Sequence, residues 1–274
     1  MKRSWTAQGA AAQRAVLTEL GLMDDRLARH MLTPGLARTV WALGHLPHWA
    51  FGRSVTLAGA AGSNLWFDAT VAAALDEGIE QVVIVGAGYD SRAWRFAREG
   101  VRFFELDHEA SQRAKVAAAP PGSGPIYVTA DLRTESAAPA LMAAGVDPST
   151  PVLVIVEWVT MYLSEEVVRN QFAQLATVVA DGSQLAVNFL SARPPQTTQT
   201  KRQARLQRMA RVGTDEGFRL GLDPDQAVAL LESTGWSVRR QSNFRYAART
   251  YLPKDSRLPV GSIDERKLLL LAVR

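Results

Sequence analysis

The clearest hydrophobic pattern in the chain is a run of four apolar, β-branched residues, Val82 to Val85. A short continuous run of this kind predicts a strand buried on both faces, which is typical of the centre of a parallel sheet. Gly86 and Gly88 follow it, and glycines there allow a tight turn and the close approach of a ligand to backbone N–H groups. The pattern therefore predicts a central strand that ends in a ligand-binding turn.

Similar apolar runs recur along the chain and alternate with segments of helical periodicity. Further strands are predicted at residues 101–106, 126–129, 151–156, 184–190, 236–241 and 267–273. Helices are predicted between them, at residues 109–119, 135–144, 164–179, 201–212 and 223–234. Such alternation is the pattern of a doubly wound sheet. The predicted fold class is therefore α/β, with a doubly wound, mostly parallel sheet of seven strands.

The segment ahead of the central strand contains helical patterns and no strand. Helices are predicted at residues 11–22, 24–31 and 36–46, and a glycine-rich link, Gly59 to Gly62, is expected to separate them from a fourth helix at residues 64–75. We expect these helices to form a cap over the C-terminal edge of the sheet.

Three successive predicted strands carry an acid at or just past their C-terminal ends, namely Asp107, Asp131 and Glu157. Ligands of open parallel sheets bind at that edge, and an acid after the second strand can accept both hydroxyls of a ribose. Any one of these acids could instead cap a helix, and the glycines could form an ordinary tight turn. Taken together, the three acids and the turn predict a site for a nucleoside cofactor.

The turn departs from the dinucleotide fingerprint Gly-x-Gly-x-x-Gly. Ser91 stands at the third glycine position, and Asp90 brings a negative charge to the place expected for a phosphate. S-adenosylmethionine has a ribose and an adenine without a phosphate, so it tolerates Asp90. A nicotinamide-dependent oxidoreductase on a similar sheet is the alternative enzyme class, and a binding protein without catalysis is a third reading.

Composition narrows the chemistry further. The 274-residue chain has no cysteine, and its four histidines lack metal-ligand spacing, so no metal site is predicted. The net charge is +4, but the basic cluster at residues 201–211 lies at helical spacing without interleaved aromatic residues. That pattern favours a solvated helix face over a nucleic-acid site. Without a signal peptide or membrane span, a cytoplasmic protein is expected.

Four motifs together resemble the leucine carboxyl methyltransferase family of class I S-adenosylmethionine-dependent methyltransferases. They are Gly86-Ala-Gly-Tyr-Asp-Ser-Arg-Ala-Trp-Arg95, Phe104-Glu-Leu-Asp107, Asp131-Leu-Arg133 and Glu157-Trp-Val-Thr-Met-Tyr162. The similarity is greatest to the bacterial small-molecule branch, which includes polyketide carboxyl and O-methyltransferases. It implies one Rossmann-like methyltransferase domain over residues 1–274. Its expected parts are a helical cap (1–78), a cofactor-binding core (79–193), lid helices (194–235) and the last strands (236–274).

The resemblance also implies roles in holding S-adenosyl-L-methionine. Gly86 and Gly88 would pass under its methionine part, and Asp107 would hold the ribose hydroxyls. Asp131 with Leu132 would receive the adenine, and Glu157 would lie near the methionine ammonium.

One departure from the family pattern concerns the methionine carboxylate. The family places an arginine a few residues before the position of Asp68, and this chain has none there. Ser63, Asn64 and the more distant Arg53 are the alternatives.

The resemblance assigns the substrate carboxylate to Arg133 and Tyr162. A guanidinium fork suits a carboxylate, and a carboxylate acceptor needs no general base. We therefore expect O-methylation of an acidic small molecule, in secondary metabolism, with a phenol or alcohol acceptor as the alternative. Neither nucleic acid nor a membrane is an expected partner, and a homodimer is left open.

Overall fold

The central strand β1, Gln81–Val85, is buried along its whole length, as its sequence predicts. In the computed structural model, which describes residues 5–122, 124–191 and 217–274, β1 lies between two parallel neighbours, β2 (Arg102–Asp107) and β4 (Val152–Val156). Outside these, β3 (Ile126–Thr129) pairs in parallel with β2, and β5 (Gln184–Phe189) pairs in parallel with β4. The predicted parallel centre of the sheet is confirmed.

Two antiparallel strands complete the sheet, β6 (Ser237–Asn243) and β7 (Leu268–Val273). The strand order is β3-β2-β1-β4-β5-β7-β6, so the seven-stranded, mostly parallel prediction holds. The order reverses between β1 and β4, because the chain runs outward from β1 to β3 before it returns. Ligands of open sheets bind at such a reversal, beyond the C-terminal strand ends.

Helices cover both faces of the sheet. In the described residues they are α1 (Trp5–Glu19), α2 (Arg26–His30), α3 (Pro34–Gly44), α4 (Val55–Asp76), α5 (Arg92–Arg95), α6 (Glu109–Val116), α7 (Ala137–Ala143), α8 (Glu165–Val178), α9 (Pro224–Ser233) and α10 (Phe244–Tyr251). Short 3-10 turns lie at His48–Phe51, Thr160–Tyr162 and Val260–Ser262. One apolar core contains side chains of α1, α4 and α10, and the other contains side chains of α7, α8 and α9.

The predicted glycine-rich link is wrong, since α4 runs without interruption from Val55 to Asp76 and includes Gly59 and Gly62. The reason is the contact with α10. A Cβ on Gly62 would lie 2.3 Å from the carbonyl oxygen of Phe244 and 3.0 Å from the backbone nitrogen of Ala248. Glycine is therefore used here for close helix packing, which outweighs its low helix propensity.

Other helix boundaries shift by a few residues, most of all in α1, which begins at Trp5 and not at residue 11. The basic helix predicted at residues 201–212 lies outside the described residues, as does most of the predicted lid. No helix in the described part of the chain has the length and apolar character needed to cross a bilayer.

The α4–α10 contact gives a test on a matched pair of glycines. Gly62→Ala should lower the free energy of unfolding by about 1–3 kcal/mol, because the added methyl group meets backbone atoms that cannot move alone. Gly59→Ala should be neutral or stabilising by up to about 1 kcal/mol, since its Cβ would lie 3.8 Å from the Phe244 ring. Urea unfolding measures both. Equal stabilities for the two variants would show that the close approach at Gly62 is not required.

Candidate active site

The C-terminal ends of the four strands β1 to β4 border a cavity of about 1150 Å³. The residues predicted to form the site all line it, namely Gly86, Gly88, Asp107, Asp131, Leu132, Arg133, Glu157 and Tyr162. Helix α1 also lines it, through Ala10, Gln13 and Arg14. Small-molecule sites commonly measure about 300–1,000 Å³. The cavity can therefore hold a nucleoside cofactor beside a second small molecule.

The turn after β1 has a conformation that requires glycine. Gly86 and Gly88 have φ angles of 66° and 50°, in the left-handed region. A Cβ on Gly86 would lie 2.4 Å from Cγ2 of Val159, so a side chain is excluded by space as well. The N–H groups of Gly86 and Ala87 donate to the carbonyl oxygen of Leu106, at 2.7 and 3.2 Å. These bonds fix the turn against the end of β2.

Asp107 ends β2, and its carboxylate lies beside this turn. Its Oδ2 accepts from the N–H of Gly88 at 2.6 Å, and its Oδ1 accepts from the N–H of His108 at 2.6 Å. Burial raises the pKa of Asp107, although the two backbone donors and Lys115 act in the opposite direction. Asp107 thus has a local structural role in holding the glycine turn, while the N-cap of α6 is His108. The two backbone hydrogen bonds also orient the carboxylate, which retains acceptor capacity for ribose hydroxyls because each oxygen has two lone pairs.

Asp131 and Arg133 form a two-pronged pair at the end of β3. Nε and Nη2 of Arg133 donate to the two carboxylate oxygens of Asp131, at 3.0 and 2.8 Å. The hydrogen bond from Arg133 lowers the pKa of Asp131, which keeps it ionised. The Arg133 side chain is 55% exposed. The pair therefore lies at the open side of the cavity.

Glu157 ends β4, and the buried Arg92 holds it in place. Nη1 of Arg92 donates to Oε2 of Glu157 at 2.8 Å, while Nε donates to Asp68 at 2.7 Å. The Arg92 side chain is only 1% exposed. Burial by itself lowers the pKa of Arg92, but Asp90, Glu157 and Asp68 raise it well above its ordinary value.

Asp90 does not present an uncompensated charge to the cavity. Its Oδ2 accepts from Nη1 of Arg92 at 2.6 Å, and its Oδ1 accepts from the N–H of the same residue at 2.7 Å. Burial raises the pKa of Asp90, but Arg92 and more distant cations outweigh burial and lower that pKa to about 2. The charge argument against a pyrophosphate is therefore weaker than the sequence suggests.

Trp158 follows Glu157 in a strained conformation. Its φ of 59° is a genuine outlier for a bulky residue, and strain of this kind is concentrated at functional sites. Its N–H donates to Oδ1 of Asn188 at 2.6 Å, which stabilises the turn. The indole lines the cavity and packs edge-on against Phe244, with ring centroids 5.4 Å apart.

The candidate replacements for the family arginine are largely engaged elsewhere. Ser63 donates through its hydroxyl to Oε1 of Glu157 at 2.9 Å, and Nδ2 of Asn64 donates to the carbonyl oxygen of Ala60 at 2.8 Å. Ser63 is fully buried, and Arg53 is not among the residues that line the cavity.

Sequence reasoning assigned no role to several residues that shape the site. Arg92 lies inside the Gly86–Arg95 motif, and its position two residues after Asp90 is the signal that could have identified it. Lys267 and Phe218 line the cavity without any local sequence signal.

Comparisons with known proteins agree with this geometry. Residues 6–176 match the family model described as leucine carboxyl methyltransferase. The chain belongs to the leucine carboxyl methyltransferase family. A Mycobacterium bovis protein assigned by name to the S-adenosyl-L-methionine-dependent methyltransferases is 31% identical over 263 residues, covering 89% of this chain and 83% of its own. A similarly named Mycolicibacterium smegmatis protein is 36% identical over 186 residues, covering 63% of this chain and 59% of its own.

Solved structures support the fold. An S-adenosylmethionine-dependent methyltransferase from Mesorhizobium loti has a TM-score of 0.51 at 16% identity, covering 72% of this chain and 92% of its own. An O-methyltransferase family protein from Burkholderia thailandensis has a TM-score of 0.50 at 14% identity, covering 90% of this chain and 62% of its own.

The chain is thus a methyltransferase of this family, and its cofactor is S-adenosyl-L-methionine. The residues present fit that molecule, because the three carboxylates of Asp107, Asp131 and Glu157 line one cavity beside a glycine turn. We propose that Asp107 holds the ribose, Glu157 the ammonium, and Asp131 with Leu132 the adenine. The nicotinamide alternative is not supported. Within the described residues, no cluster of three or more His, Asp or Glu side chains has a metal-binding arrangement.

The role of Asp107 can be tested through binding of S-adenosylhomocysteine. Asp107→Ala should weaken binding by about 2 kcal/mol, because it removes charge-assisted acceptors of the ribose hydroxyls. Calorimetry measures the affinity, and Asp181→Ala, which changes a 94% exposed side chain, is the control. Since Asp107 also accepts two backbone N–H groups, thermal unfolding without ligand shows how much stability the variant loses. Unchanged affinity in Asp107→Ala would contradict the assignment.

Proposed function

We propose that this methyltransferase transfers its methyl group to an oxygen of an acidic small molecule, most directly a carboxylate. The observation that carries the proposal is that each acid on the described cavity wall already accepts hydrogen bonds from close donors. Glu157 and Asp90 accept from Arg92, Asp131 accepts from Arg133, and Asp107 accepts from two backbone N–H groups. Asp90 and Asp131 have lowered pKa values and are therefore weak bases. The oxygens of Asp107 and Glu157 are occupied by their donors.

The histidine on the cavity wall is poorly arranged to act as a base. Nδ1 of His108 accepts the N–H of Ala110 at 3.1 Å, as the N-cap of α6. In the neutral ring, the proton then resides on Nε2, which is a donor. An acceptor that is already ionised at neutral pH does not need a base, and a carboxylate meets this condition.

When bound, S-adenosylmethionine would supply a methyl group on a positively charged sulfur. An acceptor oxygen would bond to the methyl carbon in line as the carbon–sulfur bond breaks, and S-adenosylhomocysteine would leave. The task of the protein is then to hold the acceptor in that line, since correct positioning lowers the barrier. Arg133 and Tyr162 border the same cavity, and the Tyr162 ring lies 5.8 Å from that of Phe218. We propose that these two residues bind the substrate carboxylate. The guanidinium of Arg133 would donate two parallel hydrogen bonds, and the hydroxyl of Tyr162 would donate a further one.

The setting of this reaction follows from the resemblance to the bacterial small-molecule branch. It supports a place in secondary metabolite biosynthesis and a cytoplasmic enzyme. The aromatic residues Trp158, Tyr162 and Phe218 on the wall favour a substrate with an apolar or aromatic body. Methylation of a phenol or alcohol is the competing reaction, and it would require a base that the described wall does not offer.

Arg133 provides the test. For a carboxylate acceptor, Arg133→Ala should lower kcat/KM by an amount that corresponds to about 2–4 kcal/mol of transition-state stabilisation. Arg133→Lys should restore only part of this activity, because an ammonium cannot form two parallel hydrogen bonds to a carboxylate. The matched control is Arg169→Ala, which breaks a similar exposed pair with Glu165 on α8. Radiolabelled methyl transfer measures the rates. The KM for S-adenosylmethionine is measured separately, because the variant also releases Asp131.

The pH profile distinguishes the acceptors. A carboxylate acceptor predicts a rate that is nearly constant between about pH 6 and 9, whereas a phenol predicts a rise toward its own pKa. A steep rise together with full activity of Arg133→Ala would assign the acceptor to a hydroxyl group.

A further inference from the structure

Lys267 is a cation on the cavity wall to which the reaction described so far assigns no task. It directly precedes β7, whose first residue Leu268 pairs with Phe189 at the end of β5. Lys267 therefore lies at the same edge of the sheet as the strand ends that form the site, and it lines the cavity. Its backbone is fixed, because its carbonyl oxygen accepts the N–H of Phe244 at 3.1 Å and its N–H donates to the carbonyl oxygen of Asp264 at 3.3 Å.

Among the residues that the structure describes, the ammonium of Lys267 has no carboxylate partner. Within the described residues, no acid lies within the 4.0 Å of an ion pair with it, and no acceptor forms a hydrogen bond with its Nζ. The two acids nearest to it in the sequence are engaged elsewhere. Glu265 pairs with Arg245, and Asp264 pairs with Arg266 through bonds of 3.0 and 2.7 Å. By contrast, two other cations on the wall are paired, Arg14 with Asp25 and Arg133 with Asp131, both at 2.8 Å.

The surroundings of Lys267 make this isolation unfavourable. The side chain is half-buried, and its Nζ lies 5.8 Å from the centroid of the Phe244 ring. The Phe244 ring also packs against Trp158. Burial lowers the pKa of Lys267, and the charge of Asp264 compensates only in part. A charged group that is partly removed from water without a partner is destabilised, and a bound anion would reverse this.

The neighbours of Lys267 indicate which part of the cavity it serves. Phe244 packs against Gly59, which also lines the cavity, and Trp158 is next to Glu157. Lys267 is thus on the side of the cavity where Glu157 offers a negative charge to an ammonium. Ser63 and Asn64, on the adjacent helix α4, have their donors engaged. A ligand with both an ammonium and a carboxylate would find the second partner in Lys267.

We propose that Lys267 binds a carboxylate group in this cavity. The carboxylate has two chemical sources, the amino-acid end of the cofactor or the acid to be methylated. The contact of Lys267 with Phe244, which packs against Trp158 next to Glu157 in the chain, supports the cofactor source. The second source rests on the proposed function, and the experiment below separates the two.

The cofactor source is tested by comparing S-adenosylmethionine with decarboxylated S-adenosylmethionine, which keeps the amine and lacks only the carboxylate. Lys267→Met keeps an unbranched apolar side chain and removes the charge. It should weaken binding of S-adenosylmethionine by about ten- to a hundredfold, with little effect on the decarboxylated compound. Lys267→Arg should retain most of the affinity. Lys254→Met, at an exposed position, is the control.

The substrate source is tested with benzoate and its neutral analogue benzamide, each titrated against protein saturated with S-adenosylhomocysteine. If Lys267 binds the acceptor, Lys267→Met loses benzoate binding selectively and keeps the affinity for both forms of the cofactor. Failure of carboxylate methylation would leave the cofactor comparison intact, so the two proposals can fail separately.

Two results would overturn the role of Lys267. In the first, Lys267→Met binds all four compounds as the parent does. In the second, it loses thermal stability and weakens all of them equally, which is the result expected of a side chain that only packs against Phe244.

Discussion

The rest of the site depends on the ion pairs that the buried guanidinium of Arg92 forms with three carboxylates. The guanidinium joins Asp68 of α4, Asp90 of the turn after β1 and Glu157 at the end of β4, at 2.7, 2.6 and 2.8 Å. These residues belong to three separate elements, so one side chain sets the distances between the helix, the glycine turn and the strand end. Removing one partner of a buried charged group typically costs about 3–5 kcal/mol, because the remaining charges lack compensation. The cluster therefore fixes the relative positions of these three elements at the edge of the cavity.

This cluster determines what chemistry the cavity can support. The oxygens of the acids on the cavity wall are engaged by close donors, and the pKa values of Asp90 and Asp131 are lowered, which favours electrostatic positioning over proton abstraction. The negative charge near Glu157 suits a cationic ligand group, whereas Arg133 and Lys267 offer positive charge at other points of the same wall. A zwitterionic cofactor and an acidic acceptor are complementary to such a distribution. This distribution is the reason for proposing an acceptor that is already ionised.

Much of the fold and part of the site could be predicted from local pattern. The β-branched run in β1 and the acids Asp107, Asp131 and Glu157 were placed correctly, because parallel strands bring their C-terminal ends to one edge. Pairings between distant residues could not be predicted in this way. The role of Gly62 depends on backbone atoms of α10 far along the chain, and the importance of Arg92 depends on three acids that only the folded chain brings together. Lys267 has no local signal, since its isolation is a property of its surroundings.

The central claim is that one rigid frame of strand-end acids holds S-adenosylmethionine. The most direct measurement is a crystal structure with S-adenosylhomocysteine bound. We predict that both ribose hydroxyls lie within hydrogen-bond distance of Asp107, that the amino-acid arm passes over Gly86 and Gly88, and that Arg92 keeps its three carboxylate partners. A nucleoside bound away from Asp107, or an Arg92 cluster that breaks apart when the ligand binds, would contradict the claim.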